Sequence, residues 1–412
     1  GHWNAYYTNP YWNMENQREV TENNNIQLAA ELNYQVNDNI SLRLLSQARV
    51  NDGSYLSWDN AYTEPAEIIS TTGADRTSGD NFSYNNSRSS QYYTDFFVNL
   101  DYDLTSDLGL AANIGLNNQY FKASFAGVSG SGLTIPGIYS SFNINDILNT
   151  NISDSRSSRS RIAAIANVDL SYKDFLFLNV TGRNDWSSTL DVSNQSFFYP
   201  SASISFVPTK AFENFGGDVL NYLKITAAYV EVGNDGGIGA YATQATVNQA
   251  PGFPLGGQNS FVVDQTVTDP FLEPEFVTTQ EFGLSAGFLK DRITLDASYS
   301  MFQGENQITN VQASAASGIA SARINIAETE GSAIELDLGL KVLKSENLSW
   351  DVNIGYSTTE NEVLKVTEDL DQVSLGGFLG YAEVFAIEGE QLPVIQANDY
   401  EWDPLGRILF DR

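Results

Sequence analysis

Catalysis needs reactive side chains held close together, and this chain of 412 residues offers few. It has no cysteine, so thiol nucleophiles, disulfides and zinc–thiolate centres are excluded. The single histidine, His2, cannot build a metal site or a catalytic triad and reads as a solvated terminal residue. Carboxylates are plentiful. Asp399, Glu401 and Asp403 alternate, so a strand would put all three on one face, as a glycosidase would need. Acidic residues are common along the whole chain, however, and nothing sets these three apart. No catalytic role is expected. Two turns, Asn51-Asp52-Gly53 and Gly233-Asn234-Asp235-Gly236-Gly237, offer oxygens of the kind that hold Ca²⁺. Neither has the spacing of a calcium loop, and ordinary turn chemistry accounts for both. The glycines of 233–239 lack a following helix, so they make no phosphate cradle. No cofactor is therefore expected, with loop-bound Ca²⁺ the one ion the residue types allow.

The bulk numbers narrow the class. With 51 acidic and 21 basic side chains the formal charge is −30, which disfavours nucleic acid as a partner. Charged residues are only 17%, below the ~25% of soluble domains, while aromatics reach 12% and glycines number 32. No apolar run approaches the ~18–20 residues of a transmembrane helix. A membrane β-barrel hides its apolar residues in alternation instead, and the mean hydropathy of −0.25 is compatible with that.

The element that must position everything else is the stretch 178–206, LNVTGRNDWSSTLDVSNQSFFYPSASISF. Leu178 and Val180 share one face of a strand, with Asn179 and Thr181 on the other. The strand is expected to break at Gly182 and pass through a polar loop, Arg183, Asn184, Asp185, Trp186, Ser187, Ser188 and Thr189. It returns through Phe197, Phe198 and Tyr199. Pro200 then opens a second strand carrying Ala202, Ile204 and Phe206.

The rest of the chain repeats this unit. Residues 1–25, which include NPYW at 9–12, read as an entry loop. From Ile26 the alternation is strict, Ile26, Leu28, Ala30, Leu32, Tyr34 and Val36 against Gln27, Ala29, Glu31, Asn33 and Gln35. Similar pairs of strands recur on either side of short turns at 37–39, 105–107, 173–174, 290–292 and 344–347. Long loops are expected at 51–91, 117–161, 231–277 and 303–331; a Ser/Arg stretch, 153–161, reads as solvated loop. Barrel hairpins thus span 26–358, and 359–412 reads as loop with weak strands. That gives about 12 strands of about 11 residues, the ~9–11 needed to cross a bilayer. An all-β, antiparallel membrane barrel with short periplasmic turns and long extracellular loops fits best. A soluble sandwich would show the same alternation with the faces exchanged. Aromatics at strand ends, such as Tyr34, Tyr172, Phe198, Tyr199, Tyr229, Tyr299, Trp350 and Tyr356, suit an interfacial girdle.

Three segments, LNVTGRNDWSSTL with its FFYPSASISF return, LNYLKITAAYVEVGND and DPFLEPEFVTTQEFGLSAGFLKDRITLDASYS, resemble the SusC family. These are TonB-dependent outer-membrane transporters of Bacteroidota. NPYW, GSAIELDLGLKVLKSENLSWDVNIGYS and EGEQLPVIQANDYEWDPLGRILFD fit the same family in the same order. The motif positions are Gly182, Arg183, Asn184, Asp185, Trp186, Tyr199 and Pro200, with a structural role.

The resemblance implies a barrel of about 22 strands whose lumen holds a plug. The chain would then be a central segment, without the N-terminal plug, its TonB box or the C-terminal strands. The start, GHWNAYYTNPYW, has no signal-peptide pattern, in keeping with an internal segment. The family implies import of oligosaccharides or peptides, energised through TonB and covered by a SusD-like surface lipoprotein. Loop aromatics Trp58, Tyr62, Tyr139, Tyr241 and Phe253 would then be candidates to stack on cargo, with loop packing the plainer reading of each. Two alternatives stand beside import. One is an accessory subunit of another outer-membrane complex; the other is a secreted soluble β-protein or adhesin.

Overall fold

The computed structural model describes residues 9–73, 75, 77–145, 150–251, 259–313, 315–366, 371–378, 382–399, 402 and 405–407. Among the described residues eighteen strands carry the fold. They are β1 Gln17–Asn37, β2 Ile40–Asp59, β3 Asn81–Thr105, β4 Leu108–Ser131, β5 Asn151–Tyr172 and β6 Leu176–Ser187. Next come β7 Ser196–Phe206, β8 Leu220–Asn234, β9 Val247–Pro251, β10 Asn259–Val263, β11 Thr266–Thr268 and β12 Glu275–Phe288. The last are β13 Ile293–Gln312, β14 Ser321–Lys344, β15 Ser349–Lys365, β16 Gln372–Phe378, β17 Ala382–Ile387 and β18 Val394–Ala397. Helices are short: α1 Pro10–Asn16, α2 Ala66–Thr72 and α3 Pro208–Ala211.

Thirteen strands form one sheet in the order β1-β2-β3-β4-β5-β6-β7-β8-β12-β13-β14-β11, with β15 also on β14. Twelve are long, and the short β11 adds in parallel to β14. β9–β10 and β16–β17–β18 make separate small sheets. The chain divides into two compact units. One holds Gly1–Leu32, Leu44–Asp95 and Asn117–Arg161; the other holds Asn33–Arg43, Phe96–Leu116 and Ile162–Arg412.

In the second unit the register shows what the alternation is for. Paired residues point to the same side of a sheet, so each rung has one chemistry. One rung runs Phe206, Ile225, Leu284, Ala297, Leu336, Tyr356; the next toward the turns runs Leu223, Ala286, Leu295, Leu338, Ile354. The rung between them, on the opposite face, is Lys224, Ser285, Asp296, Asp337, Gly355. Apolar rungs continue from Phe288 to Phe282 and give way at Gln280. At ~3.4 Å per residue that band is roughly 20 Å along the strand, near the ~25 Å of a lipid-facing girdle. Tyr299 and Tyr229 stand at its far edge.

The turns close where expected. Lys173 and Asp174 both have positive φ, 47° and 55°, as a two-residue hairpin turn requires. Lys173 Nζ lies 3.2 Å from Asp107 in the neighbouring turn, and that carboxylate holds the Lys173 ammonium pKa above its ordinary value.

Beyond the lipid band the sequence reading is corrected. β1 begins at Gln17, so the described part of the expected entry loop is mostly helix and strand, and NPYW opens α1 with Pro10 in its first turn. Asn9 caps that helix by accepting the Tyr11 N–H at 3.0 Å. Strands are far longer than expected: β3 has 25 residues, β4 24 and β14 24. Much of the supposed loops at 51–91, 117–161 and 303–331 is strand, and the Ser/Arg stretch lies within β5. The reason is physical. Apolar alternation is imposed by hydrocarbon, so it stops where lipid stops, while backbone pairing continues into water. Nor does β6 break at Gly182, which pairs with Pro200 inside a continuous ladder. Gly182 instead leaves room for the Phe198 ring, 3.2 Å from where a Cβ would stand. Pro200, lacking an N–H, sits just past the last β7–β8 pair, Ser201↔Val230.

This register predicts unequal tolerance on the two faces. Leu284→Arg, six residues from the turn on the apolar face, should destabilise the barrel by about 2–4 kcal/mol. Ser285→Asn on the polar face should stay within about 0.5 kcal/mol. Urea unfolding of the full-length protein in lipid vesicles, with both variants, measures the difference.

Candidate functional site

Past the apolar rungs, β6 and β7 stay paired through Arg183↔Tyr199, Asp185↔Phe197 and Trp186↔Ser196. Alternation sets Arg183, Asp185 and Ser187 on the same face as Asn179 and Thr181. Asp185 has no exposed surface. An isolated carboxylate there would cost several kcal/mol, and Arg183 compensates it with two parallel bonds, Nε–Oδ1 2.6 Å and Nη2–Oδ2 3.2 Å. Two residues on, Ser187 and Thr189 are also buried. Both hydroxyls donate to Asp235 Oδ2, at 2.8 and 3.2 Å, and they lie 2.9 Å from each other. The Gly233–Gly237 turn considered for Ca²⁺ thus gives a carboxylate oxygen to the loop after β6. Among the described residues no group of three His, Asp or Glu side chains is placed to hold a metal ion.

Apolar packing reinforces this knot. Leu190, Phe197, Ile238 and Leu272 are buried together, with Tyr199, Ala242, Phe276 and Ile308 against them. Phe197 stacks on Tyr199 at 6.2 Å and meets Phe276 edge-on at 6.4 Å. Gly233 permits this, since a Cβ there would come 2.7 Å from Phe197 and 3.0 Å from Tyr199. Asn194 donates to the carbonyls of Phe271 and Leu272 at 2.7 and 3.3 Å. Asn325 clamps the next residue, accepting the Glu273 N–H and donating to the Glu273 carbonyl, both at 2.8 Å. In the loop itself, the Asp191 carboxylate accepts the Ser193 N–H and O–H at 2.9 and 2.8 Å, which holds its pKa below the usual value. Trp186 and Asn184 alternate to the other face, where Trp186 is partly exposed. Of this knot, sequence reasoning missed Asn194, Leu272, Phe276 and Asn325. For Leu272 and Phe276 the one signal was that 269–276 belongs to a segment that carried the resemblance, which does not say what that segment meets; Asn325 had none.

The loop aromatics divide. In the first unit Trp58 stacks on Tyr139 with centroids 4.9 Å apart, and the Tyr139 hydroxyl donates to Asn60. Asn60 in turn donates to Asn16 Oδ1 at 3.0 Å, fastening the end of α1. Tyr62 meets Trp12 edge-on at 5.2 Å, and its hydroxyl donates to Glu64 at 3.3 Å. These rings are half-buried and pack as loop supports. In the second unit Tyr241 is half exposed and has φ 65°. Phe253 lies outside the described residues, as do His2, Glu401 and Asp403 of the residues weighed for chemistry.

With this geometry in hand, the comparisons decide the family. The family model described as TonB dependent receptor-like, beta-barrel matches residues 2–396. The chain belongs to this family. It is an outer-membrane β-barrel, and the alternative of a secreted soluble protein is set aside. TonB-dependent receptor P39 of Formosa agariphila is 26% identical over 248 residues, which are 60% of this chain and 22% of that protein. Among solved structures, the RagAB peptide transporter matches with TM-score 0.79 at 15% identity, over 93% of this chain and 40% of that one. The RagAB peptide importer in its closed-closed state gives 0.78 at 14%, over 98% and 46%. The siderophore receptor PiuA from Acinetobacter baumannii gives 0.52 at 16%, over 85% and 49%. At such identities the structural likeness is one of fold. The chain spans less than half the length of each of these relatives.

The receptor barrel's knot should be sensitive to single atoms. Asp185→Asn leaves Arg183 without its counter-charge; because Arg183 is a quarter exposed, the cost should fall to about 2–3 kcal/mol. Asp235→Ala removes the acceptor shared by two buried hydroxyls, which are left to pair with each other, and should cost about 1–3 kcal/mol. Unfolding of both variants and their double mutant in lipid would show additive losses if the ion pair and the hydroxyl cluster act independently, and coupling if they act as one.

Proposed function

We propose that the full-length receptor imports oligosaccharides or peptides across the outer membrane. TonB supplies the energy, and a SusD-like lipoprotein covers the outer end. The observation that carries this reading is the face opposite the lipid band. Its rungs combine hydroxyls, carboxylates and glycines, as in Ser205, Thr226, Gly283, Ser298, Glu335, Ser357. Glycines keep the wall low: a Cβ at Gly283 would collide with the Thr226 hydroxyl, and one at Gly339 would come 2.5 Å from the Thr294 hydroxyl. A wall of short polar groups offers exchangeable hydrogen bonds without deep pockets, which suits passage of hydrated cargo. The task is binding and gated passage, with no bond of the cargo made or broken. The knot of Arg183, Asp185, Tyr199 and Asp235 serves it by holding the strand ends from which the long excursions rise. The SusC-like order of the sequence segments and the RagAB-like fold support the lipoprotein lid.

The test is uptake in the native host. Deleting the gene should abolish accumulation of one labelled class, oligosaccharide or peptide, and removing TonB should do the same while surface binding persists. Pull-down of the receptor should bring down a surface lipoprotein. Unchanged uptake of both classes, with unrelated outer-membrane proteins co-isolated instead, would favour the accessory-subunit reading.

A further inference from the structure

In the first unit a groove of about 790 Å³ opens across β1 to β5. Its floor includes Glu22 and Asn24 of β1, which share a strand face with Ile26, Leu28 and Leu32. That face carries the apolar half of the β1 alternation, with Gln27, Glu31, Asn33 and Gln35 opposite, as the lipid-facing side of a barrel must. The groove therefore lies on the lipid side, immediately beyond the apolar residues of β1. The girdle is marked there by Tyr92 of β3 and Tyr120 of β4, stacked at 6.4 Å and both outward-exposed. Lys122 is two residues past Tyr120 on the same strand face, and Arg88 is four past Tyr92.

Three cations converge in this groove from three strands, Arg88, Lys122 and Arg156. The lining also holds three carboxylates, Glu22, Asp52 and Asp154, so the cations count by their placement and not by an excess of positive charge. The two arginines touch Asp52 and Asp154 only loosely, at 3.6 and 3.5 Å, and their side chains are 63% and 79% exposed. Exposed pairs of this length are worth little and yield readily to a better acceptor. Lys122, between them in strand order, has no acidic partner among the described residues. Tyr84, which also lines the groove, offers an exposed ring.

We propose that this groove binds the phosphorylated sugar headgroup of an outer-leaflet glycolipid. Lys122 and the two guanidinium groups take the phosphate, and the Tyr84 ring packs against a sugar face. Phosphate is the fitting acceptor because it takes charge-assisted bonds from several donors at once, while Asp52 and Asp154 remain to orient the arginines. The lipid source follows from position: the groove is on the lipid side and at the level where hydrocarbon ends. The inference is independent of transport.

The experiment uses full-length receptor extracted from the outer membrane in mild detergent, with retained lipid read by native mass spectrometry. Wild-type protein should retain phosphorylated glycolipid. The variant Arg88→Gln/Lys122→Gln/Arg156→Gln should retain about tenfold less. Arg292→Gln/Lys341→Gln, neutralised near a turn at the other end of the strands, should match wild type. On wild-type protein, which needs no variant to fold, enzymatically dephosphorylated glycolipid should fail to compete for the site, and inorganic phosphate should displace little lipid. Equal retention by the triple variant, equal competition by the dephosphorylated lipid, or full displacement by inorganic phosphate would each overturn the proposal.

Discussion

Every backbone N–H and C=O that enters hydrocarbon must find its partner within the protein, because lipid offers none. That constraint explains why twelve long strands here follow one another through a single sheet, to which the short β11 adds in parallel. It also sets the side chains. With the backbone fully engaged in the ladder, the only freedom left is which face each residue takes, and the rung from Phe206 through Leu284 to Tyr356 shows that freedom used up. One chemistry per rung is the cheapest way to meet oil on one side and water on the other.

The same constraint decides what could be read from the sequence. Where lipid dictates one face, as at Ile293, Leu295, Ala297 and Tyr299, the pattern named the strands, their partners and the turns between them. Where lipid ends, both faces meet water and the pattern vanishes, although the ladder does not. Hence Asn51–Asp59 and Asn81–Gln91 read as loop and are strand. Gly182 misled for a related reason. Glycine in a strand signals either a break or a close neighbour, and only the position of Phe198, sixteen residues later, chooses between them.

The knot at 183–199 was half legible. Its residue types were visible as a polar, aromatic-flanked motif, and its membership in a known family followed from them. Its partners were not, because Asp235, Leu272 and Asn325 reach it only through the folded ladder. A polar face gives no periodic signal that two loops will meet. The loop aromatics show the converse: Trp58 and Tyr139 stood out as rings but are eighty-one residues apart, and no local pattern announces that they stack.

Beyond the membrane, a strand end has lost the lipid that fixed its register but still must not slide, since one residue of slip exchanges the two faces. Apolar packing alone is a weak guard, because apolar contacts are tolerant of direction. The bidentate Arg183–Asp185 pair is not, as both bonds demand one geometry. Neither is the paired donation of Ser187 and Thr189 to one oxygen of Asp235. Placing these directional contacts where the lipid-imposed pattern stops, beside the packed Phe197 and Leu272, lets the outer segments keep the register that the membrane sets below. The excursions that rise from them can then differ freely in sequence, because their footings do not depend on them.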